Sequence, residues 1–364
     1  MNAYVKCVND NGGIHGRPLQ YISLDGEVDP AKTTAAASKL IDTEKVVAIT
    51  GGFSLLDCAV NGKTYADKGY NIIVAGVPAE CFGSPNIAAT NMGPAYSAQG
   101  AAEAVIRAGA KGKLVHITGD GPGSEYNGTY VAAIAKANGM EFEDMRSSQP
   151  DGATFADPVT VTLNAVKKAG KGGGVIITAV PPATLQILKA AEDQGLVGDV
   201  IWGSATPAND VSVAKAAPKS FDGKLLINAE LAPLDSNGPD MKLIRDVLAK
   251  YDTEKTPLGS FSQMGFLIGR IIVDTLNKMP AADVDDKVKV NAAIKAITNF
   301  KTDILCKPWY YGDGAAHVPN NWDLTVVPQG GAMVVKEKCF GITPTDPVLK
   351  QVRADEAAKN LNKG

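Results

Sequence analysis

Residues 113–138 read KLVHITGDGPGSEYNGTYVAAIAKAN. Four of the first six (Leu114, Val115, Ile117, Thr118) are apolar or β-branched, the glycine-rich GDGPG closes them off, and the stretch from 125 carries the small and apolar residues of a helix. A strand over 113–118 feeding a helix over 125–138 is half of a βαβ unit. The same grammar runs in both directions. Upstream, strands are expected at 19–24 (LQYISL), 45–50 (KVVAIT) and 71–75 (NIIVA), alternating with helices at 31–43, 54–68 and 95–108. Downstream, strands at 140–145, 174–179, 199–203 and 224–229 alternate with helices at 157–169 and 182–194. Runs this short and this uniformly apolar suit parallel strands covered on both faces, so the fold class is α/β with doubly wound sheets.

From 239 the rhythm changes. Helices are expected at 239–251, 259–278 and 287–298, and the last hundred residues read as irregular and aromatic. No low-complexity tether interrupts the 364 residues, a length that suggests two or three domains. If there are two lobes, segments running between them join them.

Net charge is −3, which gives no electrostatic case for nucleic acid or an anionic membrane. No run of about 18 apolar residues exists to span a bilayer. No signal peptide is visible in a chain that opens MNAYVK. The three histidines, His15, His116 and His317, lie far apart, which argues against a metal site or a Ser-His-Asp triad. Gly62-Lys63-Thr64 is no phosphate loop, because Asp57 stands where the first glycine belongs and Gly62 falls inside a helix. Gly119-Asp120-Gly121-Pro122-Gly123 is half a dinucleotide fingerprint, with Ser124 where the last glycine would be. No cofactor is expected.

None of the five cysteines forms a C-x-x-C pair. Cys58–Cys81 and Cys306–Cys339 suit two local bridges in an oxidising compartment, leaving Cys7 free; the alternative is five buried thiols. In NDNGGIHGRP (9–18) Gly12 or Gly13 suits a left-handed cap that ends a helix, and Pro18 forbids continuation. Gly51-Gly52-Phe53-Ser54 and Gly76-Val77-Pro78-Ala79-Glu80 both lie at carboxyl ends of expected parallel strands, where open α/β sheets bind ligands.

The run NDNGGIHGRPLQYISLDGEVDPAK, then VVAITGG, ADKGYNIIVAG, TLQILKAAEDQGL and IWGSATPAND, resembles the type I periplasmic binding proteins over essentially the whole chain. The branch it resembles most includes the leucine/isoleucine/valine-binding proteins. The resemblance implies two doubly wound lobes, 1–92 with 231–323 and 93–230 with 324–364. They would be joined by three crossings near 91–94, 229–232 and 322–326, with a ligand cleft between them. It implies a monomeric, extracytoplasmic protein that hands a small molecule to an ABC permease and catalyses nothing; a sensor domain of the same fold is the alternative. It places first-lobe contacts at Ser54, Leu55, Gly76, Val77 and Pro78, and second-lobe contacts at Tyr126, Thr178, Ala179, Val180, Ser204 and Ala205. Phe53, Trp202, Phe261, Gln263 and Met264 fall near further cleft positions.

Two departures from the family matter. Amino-acid binders carry an acid against the ligand's ammonium where this chain has Ala205, between Ser204 and Thr206. A buried ammonium without that partner forfeits about 3–5 kcal/mol, so an aromatic or branched organic acid is expected in place of a plain amino acid, unless Asp120 substitutes. Further, the family opens with a strand and a ligand-binding loop, whereas this chain opens inside the following helix. Roughly 25–30 native residues are expected to precede Met1, a βα unit's usual size.

Overall fold

The computed structural model describes residues 1–120, 124–314 and 317–362. In chain order the first elements are α1 (Asn2–Asp10), α2 (Pro30–Ser38), β1 (Thr50–Ser54), α3 (Asp57–Asp67), β2 (Ile72–Gly76), α4 (Glu80–Gly83), β3 (Ile87–Ala89) and α5 (Gly93–Arg107). There follow β4 (Lys113–Gly119), α6 (Thr129–Ala137), β5 (Glu141–Ser147), α7 (Pro158–Ala169), β6 (Gly174–Thr178), α8 (Pro181–Asp193), β7 (Ile201–Ser204), α9 (Val211–Ala216) and β8 (Leu225–Ala229). The last are α10 (Pro239–Tyr251), α11 (Ser260–Lys278), α12 (Lys287–Lys295), β9 (Trp322–Gln329), β10 (Ala332–Gly341) and α13 (Pro347–Lys359).

Three helices start at Asp-Pro for one reason. Asp29, Asp157 and Asp346 accept from backbone N–H groups of the first turn, while Pro30, Pro158 and Pro347 sit where no N–H is needed.

Two sheets result. One is parallel, in the order β1-β2-β3; the other runs β10-β9-β8-β7-β6-β4-β5, with β9 and β10 antiparallel. Alternation along the strands divides each lobe into two cores. In the first sheet Ile73 and Ala75 face α1, α10, α11 and α12, while Ile72 and Val74 face α2, α3 and α13. In the second, Val115, Ile117, Val175 and Ile177 pack against α7, α8 and α9, and Leu114 and Ile176 against α5 and α6. Both sheets are thus doubly wound, and the chain passes between them three times. Asn320 gathers all three passages, donating to the Thr90 carbonyl (3.0 Å) and the Glu230 carbonyl (3.1 Å).

Four expectations need correction. Residues 19–24 form no strand. Leu19 is held through both backbone groups by the Asn9 side chain, and beyond it a groove of about 580 Å³ separates Leu19–Ile22 from Val46–Thr50, so no ladder partner is in reach. The strand expected at 45–50 starts instead at Thr50 and runs through Gly51-Gly52 to Ser54, because those are the residues in register with β2. The final hundred residues are not irregular: β9 and β10 pair across Gly330-Gly331, and α13 follows. Finally, α13 packs on the first lobe and not the second. Its Leu349 and Val352 join the core of Phe82 and Val318, and Glu356 accepts from the Tyr310 hydroxyl (2.9 Å).

Gly12 and Gly13 both take positive φ at the end of α1. Cys58 in α3 is bonded to Cys81 in α4, and Cys306 to Cys339 in β10, leaving Cys7 free. Thiol titration in denaturant without reductant should therefore count a single reactive group; five would contradict both bridges.

Candidate ligand-binding cleft

The carboxyl ends of β2 and β4 meet. Tyr126, in the loop after β4, donates its hydroxyl to the Val77 carbonyl just past β2, so the ring of one lobe closes on the other. Burial holds that phenol protonated, which keeps it a donor. Beside this contact, Phe53 at the end of β1 lies against Phe261 in the first turn of α11, with ring centroids 4.5 Å apart. Phe53 is 51% exposed. The start of α11 is tied to the second lobe: Ser260 N–H donates to the Asn209 carbonyl and Val211 N–H to the Leu258 carbonyl, both at 3.2 Å.

Several expected contacts are already engaged within the protein. Ser54 Oγ accepts from the N–H groups of Leu56 and Asp57, which fixes the start of α3; Leu55 is half-buried beside it. Both backbone groups of Gly76 bond the Asn91 side chain (2.7 and 2.8 Å), so Gly76 offers a ligand nothing. Pro78, which has no N–H, gives its carbonyl to Cys81. Ser204 Oγ donates to the Ile177 carbonyl (3.1 Å). Ala205 is fully buried, and Ala179 and Val180 lead into α8.

Three expected positions lie in cores. Trp202 is 1% exposed, packs edge-on against Phe221 and donates to the Val197 carbonyl. Gln263 is fully buried and donates to the Ala232 carbonyl, and Met264 lies in the first-lobe core. All three sit on the inward side of their elements. Gly62 lies within α3, so no phosphate loop forms there. Of the half-fingerprint, Gly121, Pro122 and Gly123 lie outside the described residues, and Asp120 is exposed.

The second sheet also gives a buried histidine two side-chain partners. His116, fully buried on β4, places Nδ1 2.7 Å from Asp144 Oδ1 on β5 and Nε2 2.9 Å from Thr178 Oγ1 at the end of β6. The three residues are 28 and 62 positions apart, and only the strand order β6-β4-β5 aligns them. Burial raises the Asp144 carboxyl, but the His116 hydrogen bond and the charges of His116 and Arg146 outweigh it and hold it below the ordinary range.

A second group lies at the crossings. Glu230 is 2% exposed and its Oε2 accepts from the Met92 N–H at 2.5 Å. Burial, partly offset by that bond and by Thr206, pushes its carboxyl up to about 8. Asp323 is fully buried and is also raised well above the usual range by burial, with Glu103 adding to the effect. Among the described residues no cluster of three or more His, Cys, Asp or Glu is placed to hold a metal, and no helix is long and apolar enough to cross a membrane.

A family model described as "Periplasmic binding protein" matches residues 1–332. The chain belongs to that family. Solved structures agree on the fold. A fatty acid ABC transporter substrate-binding protein from Thermomonospora curvata is 19% identical, with TM-score 0.77 and coverage of 96% of this chain and 87% of its own. A branched-chain amino acid ABC transporter protein from Thermus thermophilus with bound valine is 16% identical, with TM-score 0.81 over 97% and 92%. A solute-binding protein from R. palustris in complex with benzoate is 18% identical, with TM-score 0.72 over 93% and 91%. No curated protein sequence matches. Proteins of this family bind small molecules and work with ABC permeases outside the cytoplasm.

Proposed function

We propose that this binding protein captures an aromatic or branched organic acid between its lobes and delivers it to an ABC permease, acting as a monomer and without catalysis. The lobes are 1–92 with 231–323 and 93–230 with the β9–β10 hairpin; α13 goes with the first. The observation that carries the ligand class is Ala205. A fully buried methyl stands at the end of β7, where the amino-acid binders of the family place an acid. Around the expected site stand aromatic rings (Phe53, Tyr126, Phe261), Val77 and Val180, and the hydroxyl of Thr178. Burying a benzene-sized ring of about 150 Å² contributes roughly 4 kcal/mol before association costs. The benzoate complex of the R. palustris structure shows that this fold accommodates such a ligand.

Calorimetry with benzoate and with leucine tests the reading. Benzoate-type acids should bind and leucine should not. Tyr126→Ala should weaken acid binding by about 1–3 kcal/mol, through the lost ring contact and the lost closure onto Val77. Leucine binding at micromolar strength with no binding of aromatic acids would overturn it.

A further inference from the structure

The groove beside Leu19 continues into a second cavity. The first, of about 580 Å³, is lined by residues 17–22 on one wall and 44–50 on the other. The second, of about 290 Å³, is lined by residues 21–28 and by 49–51 with 53–55. Tyr21, Ile22, Leu40, Ile49 and Thr50 border both, so one trough runs beside β1. Consecutive residues line both of its walls. A strand turns only every second side chain toward one face, so an unbroken row means that backbone edges border the trough. Those edges have no ladder partner. β1 is the outermost strand of its sheet and pairs with β2 alone. On the opposite wall Leu19 is bonded to Asn9, and Asp29 N–H donates to the Gly26 carbonyl. Between them, residues 20–24 make no backbone–backbone hydrogen bond among the described residues. Each wall thus presents a row of N–H and C=O groups that another strand would pair.

Helices close the trough on its two faces. Ala36 and Ala37 of α2, with Leu40 just beyond it, cover one; Ile272 and Leu276 of α11 cover the other. These helices pack on opposite faces of the first sheet. A strand laid between the walls is therefore covered on both faces, as β2 is, and needs apolar side chains on both. None of the five residues that border both cavities is charged. At the far end stand Val28 and Phe53, 59% and 51% exposed, apolar surface that an occupant would cover.

We propose that this trough is a strand-docking site. It takes one extended segment of a partner polypeptide, as long as the five-residue β1, uncharged and apolar on both faces, which pairs with β1 on one side and with residues 20–24 on the other. The unpaired edges select a polypeptide. An acyl chain would fill the space and leave two rows of backbone groups shut away from water without partners. A second copy of this chain has no such strand to give: β2, β6 and β8, the strands that are apolar on both faces, are wholly buried in their own sheets. The proposal is independent of the organic-acid reading, which benzoate calorimetry tests by itself.

Calorimetry and hydrogen exchange on the full chain test it, with an acetylated, amidated peptide that carries IIVAG, the sequence of β2, between two lysines. The peptide should bind one to one, raise the melting temperature by mass action, and slow amide exchange in residues 20–24 and along β1. N-methylation at alternate residues keeps every apolar side chain but blocks one backbone edge, and should weaken binding roughly tenfold or more. Ile22→Lys, at a half-buried position bordering both cavities, should weaken it as much. If that variant fails to fold, the methylated peptide on the wild-type protein still decides. Equal affinity for the plain and methylated peptides overturns the proposal and leaves an apolar groove that pairs nothing. Palmitate that binds and displaces the peptide overturns it in favour of an acyl chain. A dimer in sedimentation whose amide protection falls on the same residues overturns it in favour of a second copy. A peptide that changes neither heat nor exchange at its solubility limit overturns it outright.

Discussion

Stability should fall steadily as pH rises from about 5 to about 8, and Glu230→Gln should remove most of that slope. Glu230 ionises near 4.5 when unfolded and is pushed up to about 8 in the fold by burial. Between those values the folded state holds a proton that the unfolded chain has released, so each pH unit costs up to about 1.4 kcal/mol. The contribution is intact below pH 4.5, is lost progressively, and by pH 8 amounts to a penalty on the order of 4–5 kcal/mol. Asp323, raised by the same cause, acts in the same direction. The acid limb has the opposite origin: carboxylates held low, such as Asp144 and Glu337, lose their contributions as pH falls through their folded values. Glutamine keeps an acceptor for the Met92 N–H and carries no ionisable proton. Urea unfolding at several pH values is the check. Parallel slopes for wild type and Glu230→Gln would mean that Glu230 ionises normally in the fold. Glu230 and Met92 lie on two different segments that join the sheets, so a charge on Glu230 would sit buried between them.

The second sheet was legible because its strands are apolar on both faces. GVIIT and LLINA announce themselves, and each is wholly buried. The first sheet was harder. The run KVVAIT looked like a complete strand, yet pairing with β2 selects Thr50–Ser54 and tolerates two glycines, since register depends on the partner and not on the run itself. LQYISL has the composition of a strand, and composition does not supply a neighbour to pair with. The β9–β10 hairpin was readable and was missed. Alternating residues flank Gly330-Gly331, both at positive φ, but the tryptophan and tyrosines around them drew attention to aromatics and away from period.

Of the expected contacts, Tyr126 after β4 and Val77 after β2 do meet. Which atoms remain available there depends on side chains from elsewhere. Asn91 consumes Gly76, and nothing local to Gly76 foretells it. His116 was discounted because histidines distant in sequence suggested no cluster, whereas its partners sit on two neighbouring strands and include no second histidine. A buried polar residue inside an otherwise apolar strand, KLVHIT, was the signal that pointed to it: such a group needs partners, and partners must come from adjacent strands.

Gly100→Ala should destabilise the protein by about 3 kcal/mol or more, although the rules for helices favour it. Gly100 lies mid-way along α5 among alanines, and in an isolated helix the change would gain about 1 kcal/mol. Here an added Cβ would stand 2.0 Å from Asn228 Oδ1 and 2.2 Å from Asp323 Oδ2, one on β8 and the other on β9. Neither neighbour can retreat freely. Asn228 Nδ2 donates to Ser97 Oγ (3.2 Å) and Thr206 Oγ1 (3.1 Å), and Asp323 is fully buried beside it. The methyl must push α5 off both crossing strands or break a buried polar network, and either outweighs the helical gain. The double variant Gly100→Ala/Asn228→Ala supplies the control, because removing the nearer obstacle should recover part of the loss and give a favourable coupling in a mutant cycle. Denaturant unfolding of the four proteins decides it: a Gly100→Ala protein as stable as wild type, or purely additive changes, would show that α5 does not approach the crossings this closely.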